Sequence, residues 1–339
     1  METKLLPVTQ ASVAEAARLL RAGEVVAIPT ETVYGLAASA LEGGAVAKIF
    51  AAKGRPQDNP LISHIASLEM MGMVVDRIPQ DAHKLARAFW PGPLTMILPR
   101  SAQVADEVCA GLPTAAVRWP SHPAAQAVIR AAGVPLAAPS ANLSGSPSPT
   151  TARDVLADMA GRIPLILDGG ACQVGVESTV VSLTGETPVL LRPGYITKEQ
   201  LETALGKPVA LSDAVLHKLK EGERAASPGM KYKHYAPKAE ITIVKGSLEA
   251  YRAYVRRHRE DGTFCLCFAG EEAGMPCPSV AYGSEGDGAS QAAALFSALR
   301  ELDARGAKTA YARSPGQTGV ALAVYNRLLR AAAFRVVEL

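Results

Sequence analysis

Short apolar strands alternate with amphipathic helices along this chain, and the alternation breaks only once. A helix fits residues 12–22, with Ser12 placed to cap it, Val13, Ala16, Ala17 and Leu20 on one face, and Gly23 at its end. EVVAIP (24–29) reads as a buried strand stopped by proline. Further helices fit 44–53, 79–89, 123–132 and 151–160, and strands fit 61–65, 94–98, 114–118, 134–137, 165–168, 177–183 and 188–192. A capped helix over 197–205, stopped by Gly206, closes the run. This mixture predicts one large α/β sheet domain over residues 1–210.

The break is EGERAASPGMKYKHYAPKAE (221–240), polar and punctuated by Gly and Pro, with neither helical nor strand period. It reads as a linker, within 211–239, and from Arg224 to Lys238 it holds four Lys/Arg and no acid. Beyond it, strands at 241–244, 263–269 and 308–312, helices at 247–259, 289–305 and 319–333, and a terminal FRVVEL predict a smaller Rossmann-like α/β domain over 240–339. Its first strand is not followed by G-x-G-x-x-G, so nothing in it points to a dinucleotide. A chain of 339 residues suits two domains.

Composition narrows the function classes. A net charge of +3 is small for an obligate nucleic-acid binder. The five cysteines (Cys109, Cys172, Cys265, Cys267 and Cys277) have neither disulfide-framework nor zinc spacing, and alternation turns Cys265 and Cys267 to one face of a strand as packing groups. METKLLPVTQ lacks the apolar core of a signal peptide, and no apolar run approaches the ~18 residues of a membrane span. The expectation is a cytoplasmic protein under reducing conditions, with no membrane partner.

Polar residues gather where the first domain's strands end, which is where α/β sheets build ligand sites. PTETVYGLAAS (29–39) brings Thr30, Thr32, Tyr34 and a close backbone approach at Gly35; it is read as a loop leaving the preceding strand. TAAVRWP (114–120) is apolar yet ends in Arg118, and LLRPG places Arg192 after a similar run. APSANLSGSPSPT (138–150) holds four serines and Asn142, and VESTVVS adds Ser178. KGRPQDNPL (53–61) puts Lys53, Arg55 and Asn59 in the turn between a helix and a strand. Taken singly, each is a solvated turn or a local cap. Together, four cations and many hydroxyls at the strand exits of one domain predict a site for a ligand with at least two anionic groups. An arginine fork suits a carboxylate, and a Lys/Arg pair with backbone amides suits phosphates. No Walker loop, kinase signature, nucleophile elbow or H-E-x-x-H occurs. Catalysis by positioning and charge stabilisation therefore fits better than a covalent nucleophile.

In this order, PTETVYGLAA, KGRP-x-x-NPL-x-x-H, WPGPLT, TAAVR-x-P-x-HP, APSAN-x-SG-x-PSPT, ESTVV and LRPG strongly resemble the threonylcarbamoyl-AMP synthases of the YrdC family. The SPGM-x-Y-x-HYAP linker and trailing α/β domain resemble that family's long, two-domain version, so the resemblance spans nearly the whole chain. Trp119 departs from it, standing where an aliphatic residue is expected. The resemblance implies a YrdC-like twisted mixed sheet flanked by helices in the first domain. It also implies a nucleotidyltransferase that makes L-threonylcarbamoyladenylate from L-threonine, bicarbonate and ATP, releasing pyrophosphate. This is the first step of threonylcarbamoyladenosine modification of tRNA.

The same resemblance implies the site. Lys53, Arg55, Asn59, Thr114, Ser140, Asn142, Ser148, Arg192 and Tyr235 would face ATP. Thr32, His64, Arg118, Ala138 (through its backbone) and Ser178 would hold threonine. Lys53, Arg55 and Arg118 would carry catalysis, and Lys231, His234 and Tyr235 would form a lid. Mg2+ would come with ATP, with no metal ligands of the protein's own. The product would pass to downstream tRNA threonylcarbamoyl-transferase proteins, and contact with tRNA itself would be weak or indirect. Two other readings compete: an RNA-binding module using a basic groove, and a hydrolase of carbamoyl phosphate or another acyl anhydride. Few aromatics and the low net charge oppose the first, and the absence of zinc-finger cysteines opposes the second.

Overall fold

The computed structural model describes residues 1–217 and 235–339. The expectations for Lys231 and His234 lie outside the described residues, as does most of the linker.

The first domain is built on an 11-stranded mixed sheet. Its spatial order is Lys4–Pro7, Leu165–Asp168, Val26–Ile28, Gly35–Ser39, Leu136–Ala137, Ile62–His64, Thr114–Arg118, Leu94–Pro99, Thr179–Ser182, Val189–Arg192 and Ala210–Leu211. Antiparallel neighbours such as Val26–Ile28 with Gly35–Ser39 alternate with parallel ones such as Ile62–His64 with Thr114–Arg118. The central strands are buried on both faces because helices cover them. The register sets Arg118 opposite His64 on one side and Thr95 on the other, so three polar side chains meet at one sheet end.

Two sequence expectations need correction here. The first helix spans Gln10–Arg21 and its cap is Thr9: Ser12 is the third helical residue, and the two side chains bond each other's backbone N–H in a capping box. Gly35–Ser39, read as loop, is a buried strand, because the Thr30–Thr32 hydroxyl cluster turns the chain back within a few residues. Strands Lys4–Pro7 and Ser279–Ala281 and helix Leu68–Val74 have no counterpart in the sequence reading. The helix Gly43–Lys53 ends as its sequence suggests, with Gly54 in the left-handed region at φ 61°, a conformation that costs glycine nothing.

The second domain is a five-stranded sheet, Ser279–Ala281, Thr263–Cys267, Thr309–Arg313, Glu240–Lys245 and Val336–Glu338 in spatial order, with every pair parallel. Cys265 and Cys267 are both fully buried within it. Helices Gly288–Ala304 and Gly319–Ala331 pack on it and also against the first domain. One apolar cluster joins Val33, Val174 and Val176 to Tyr235, Phe296, Val324 and Tyr325, so the core is continuous across the boundary. Gly175 allows the approach: a Cβ there would lie 2.4 Å from the Ala292 carbonyl oxygen. Arg300 fixes the docking, with Nη2 2.8 Å from Asp158 and 2.7 Å from the Pro147 carbonyl. Among the described residues, no helix is long and apolar enough to cross a membrane.

Candidate active site

One cleft collects the polar residues at the strand ends. At one end stands Arg118. The strand Thr114–Arg118 is buried, so its guanidinium emerges from apolar surroundings with little water to compete. Its Nη1 donates to Thr32 Oγ1 at 2.9 Å, and its Nη2 lies 2.7 Å from Glu31 in an ion pair. Burial alone would raise the Glu31 carboxyl, but Arg118 outweighs it and holds the carboxyl below its ordinary range. Thr32 in turn sits 2.9 Å from Thr30, whose hydroxyl donates to the Val33 carbonyl at 2.6 Å.

His64 borders this end and is 3% exposed. Its Nδ1 is 3.1 Å from the Ile62 carbonyl, which can only accept, so the proton sits on Nδ1 and Nε2 remains an acceptor. Burial, and then the Arg118 charge, pull its pKa down to about 3, so the ring is neutral near pH 7.

Along the cleft, Ser178 shares a 2.7 Å hydrogen bond with Thr95, and Arg192 donates to the Ser178 carbonyl and hydroxyl at 3.1 Å each. Burial lowers the Arg192 pKa to about 10, still charged at neutral pH. The LRPG turn needs its glycine: a Cβ on Gly194 would stand 2.3 Å from the Thr179 amide nitrogen. Glu177, beside Ser178, is held by Arg327 at 2.7 Å and accepts from Ser148 Oγ at 2.5 Å.

The other end is built by KGRPQDNPL against the PSAN turn. Lys53 is 3% exposed and points its ammonium at the Ser140 carbonyl (2.5 Å), the Asn142 carbonyl (2.7 Å) and, more distantly, Asn142 Oδ1 (3.4 Å). Burial and then the neighbouring Arg55 push its pKa well below the usual lysine range. Ser140 Oγ donates to Asn142 Oδ1 at 2.6 Å, while Asn142 Nδ2 donates to the Leu143 and Ser146 carbonyls. Arg55 is half-buried in the lining, its guanidinium carbon 5.9 Å from the Phe50 ring centroid. Asn59 is fully buried, and among the described residues neither amide atom has a hydrogen-bond partner.

A family model described as telomere recombination, Sua5/YciO/YrdC, matches residues 18–194. A second, for the C-terminal domain of threonylcarbamoyl-AMP synthase, matches 196–333. A threonylcarbamoyl-AMP synthase of Bacillus subtilis is 46% identical over 99% of this chain and 97% of its own length. The chain belongs to the threonylcarbamoyl-AMP synthase family. Among solved structures, Sua5 of Pyrococcus abyssi in complex with L-threonine superposes with a TM-score of 0.91 at 40% identity, covering 100% of this chain and 99% of that one. A P. abyssi Sua5 with a histidine and a tyrosine replaced by alanine gives 0.93 at 40% identity, covering 99% and 98%.

Of the residues singled out in the synthase sequence, the cleft lining contains Thr32, Lys53, Arg55, His64, Arg118, Ala138, Ser140, Asn142, Ser178, Arg192 and Tyr235. Three others lie outside it. Thr114 begins the strand that ends in Arg118 and pairs with Pro99 at the far end; Ser148 is buried behind Glu177; Asn59 is buried beside the KGRP turn. Tyr34, noted as a possible donor, is fully buried and spends its hydroxyl on the Gly170 carbonyl at 2.7 Å. Glu31, Glu177 and Arg327 were missed. The first two sit inside T-E-T and V-E-S, where a carboxylate runs against an anion site; the third leaves no motif at all.

Proposed function

We propose that this chain joins L-threonine, bicarbonate and ATP into L-threonylcarbamoyladenylate and pyrophosphate in this cleft. One observation carries the reading: Arg118, with a neutral histidine acceptor beside it, stands at one end of a single cleft whose other parts carry Lys53, Arg55, Arg192 and the PSAN loop. An amino acid and a polyphosphate fit such a division, and placing both in one cleft turns a multi-substrate reaction into a local one.

Arg118 takes the threonine carboxylate, aided by Thr32, and the Ala138 backbone and Ser178 complete that end. His64 Nε2, unable to donate, accepts from a hydroxyl or amine of threonine. The amine so placed bonds to the carbon supplied by bicarbonate, giving a carbamate with loss of water. A carbamate oxygen then attacks the α-phosphorus of ATP, and the bond to the pyrophosphate oxygen breaks. Arg55 and Arg192 stabilise the charge that develops on the phosphoryl oxygens. Lys53 acts by holding the two carbonyls of the PSAN turn, which aims Ser140 and Asn142. Mg2+ enters with ATP, as the Mg-ATP substrate.

We assign residues 1–210 to catalysis, 211–239 to a linker, and 240–339 to the second domain. Tyr235, buried against Phe296 at 5.3 Å between ring centroids, anchors the end of that linker in the cleft lining. The reaction is placed in the cytoplasm, with tRNA-modifying transferases consuming the labile mixed anhydride. The test is a product assay with purified protein, Mg-ATP, bicarbonate and L-threonine, each omitted in turn. Pyrophosphate and an adenylate adduct that need all three support the reading. ATP turnover independent of threonine, or tight salt-sensitive RNA binding without turnover, overturns it.

A further inference from the structure

The second domain reaches the cleft through a side chain that the reaction scheme does not use. Arg327, on helix Gly319–Ala331, is fully buried. Its Nε meets Glu177 at 2.7 Å, its Nη2 the Glu177 carbonyl at 3.3 Å, and its Nη1 the Pro193 carbonyl at 2.9 Å. Its guanidinium carbon also lies 5.7 Å from the Tyr235 ring centroid. The two backbone segments it clamps are those that carry Ser178 and Arg192. Glu177 is the only carboxylate in the cleft lining among the described residues. A bare carboxylate in a buried wall would repel a triphosphate, since buried charges are little screened.

We propose that Arg327 is a positioning residue for the nucleotide: it neutralises Glu177 from behind and pins the Ser178 and Arg192 segments, so that the second domain completes the ATP end of the cleft. Ser148 shares in this by donating to the other Glu177 oxygen. The threonine end is built by Arg118, Glu31 and Thr32 of the first domain, and its Ser178 hydroxyl is held by Thr95, so Arg327 reaches that end only through the backbone beside Ser178. The inference rests on the reading of the cleft as the ATP and threonine site, which wild-type turnover tests separately.

The experiment uses the full-length protein and measures KM for ATP and for threonine in wild type, Arg327→Met, Glu177→Gln and the double variant. Arg327→Met should raise the ATP KM roughly thirtyfold and move the threonine KM less than about threefold, the scale expected when one partner of a buried ion pair is removed. Adding Glu177→Gln should recover most of that loss, because the amide still accepts from Ser148 without the charge. Glu177→Gln alone should bind ATP at least as tightly as wild type. If Arg327→Met does not fold, Glu177→Gln decides by itself: an ATP KM raised more than about threefold overturns the proposal. Equal losses for both substrates, or a double variant no better than Arg327→Met, would mark Arg327 as a strut only and also overturn it. Wild-type protein that makes no adenylate overturns the reading of the cleft, whatever the variants do.

Discussion

The two ends of the cleft each contain a buried Arg–Glu pair, oriented oppositely. At the end proposed for threonine the arginine, Arg118, lines the cleft and Glu31 backs it. At the end proposed for the nucleotide the carboxylate, Glu177, lines the cleft and Arg327 backs it from the other domain. A buried ion pair is weak evidence for stability, because desolvation offsets much of the attraction. What such a pair does well is fix where one charged group points. In the scheme proposed above, the first pair presents a cation to the threonine carboxylate from within one sheet, and the second suppresses an anion beside the phosphates with a residue from each domain.

Single substitutions at the two ends test this contrast. The largest effect is expected for Arg55→Ala, with ATP affinity falling roughly a hundredfold, as for loss of a charge-assisted phosphate contact, and threonine affinity nearly unchanged. Calorimetry on both ligands checks it, and unaltered ATP affinity would remove Arg55 from the site. Lys53→Met should weaken ATP about tenfold and also lower the melting temperature, because it strands the Ser140 and Asn142 carbonyls that Lys53 now satisfies. Arg55→Ala should leave the melting temperature near that of wild type. The two cations of one K-G-R turn would then separate into a structural and a ligand-facing one.

A different kind of effect concerns acid. The folded His64 titrates at about 3 against 6.5 for an ordinary histidine. Between those values the unfolded chain binds a proton that the folded one does not, so stability falls as pH drops through that window. One group contributes at most ~1.4 kcal/mol per pH unit. Urea melts at pH 6.5 and 4.5 should show a smaller loss for His64→Gln than for wild type. An equal loss would mean that His64 is already protonated in the fold.

The sequence made the strand-end cations and hydroxyls legible because each sits beside a short apolar run with a clear period, as Arg118 does after TAAV. The same logic hid Gly35–Ser39, since polar threonines and a glycine precede that strand and mask its start. Thr9 was passed over as a cap because Ser12 stands closer to the apolar face. The carboxylates Glu31 and Glu177 were invisible for a physical reason: their role is set by a partner arginine, and sequence spacing does not show pairing in space. Arg327 lies 150 residues from Glu177 and reads as one more polar position on an amphipathic helix. Burial of a whole guanidinium, 0% exposed, is a fact of the tertiary structure alone.

The division of the cleft into two ends stands or falls on Arg118. Arg118→Ala, titrated by calorimetry with L-threonine and separately with ATP, tests it most directly. Threonine binding should weaken at least tenfold and ATP binding should change by less than about threefold. Equal losses for the two ligands would mean that Arg118 does not divide the cleft.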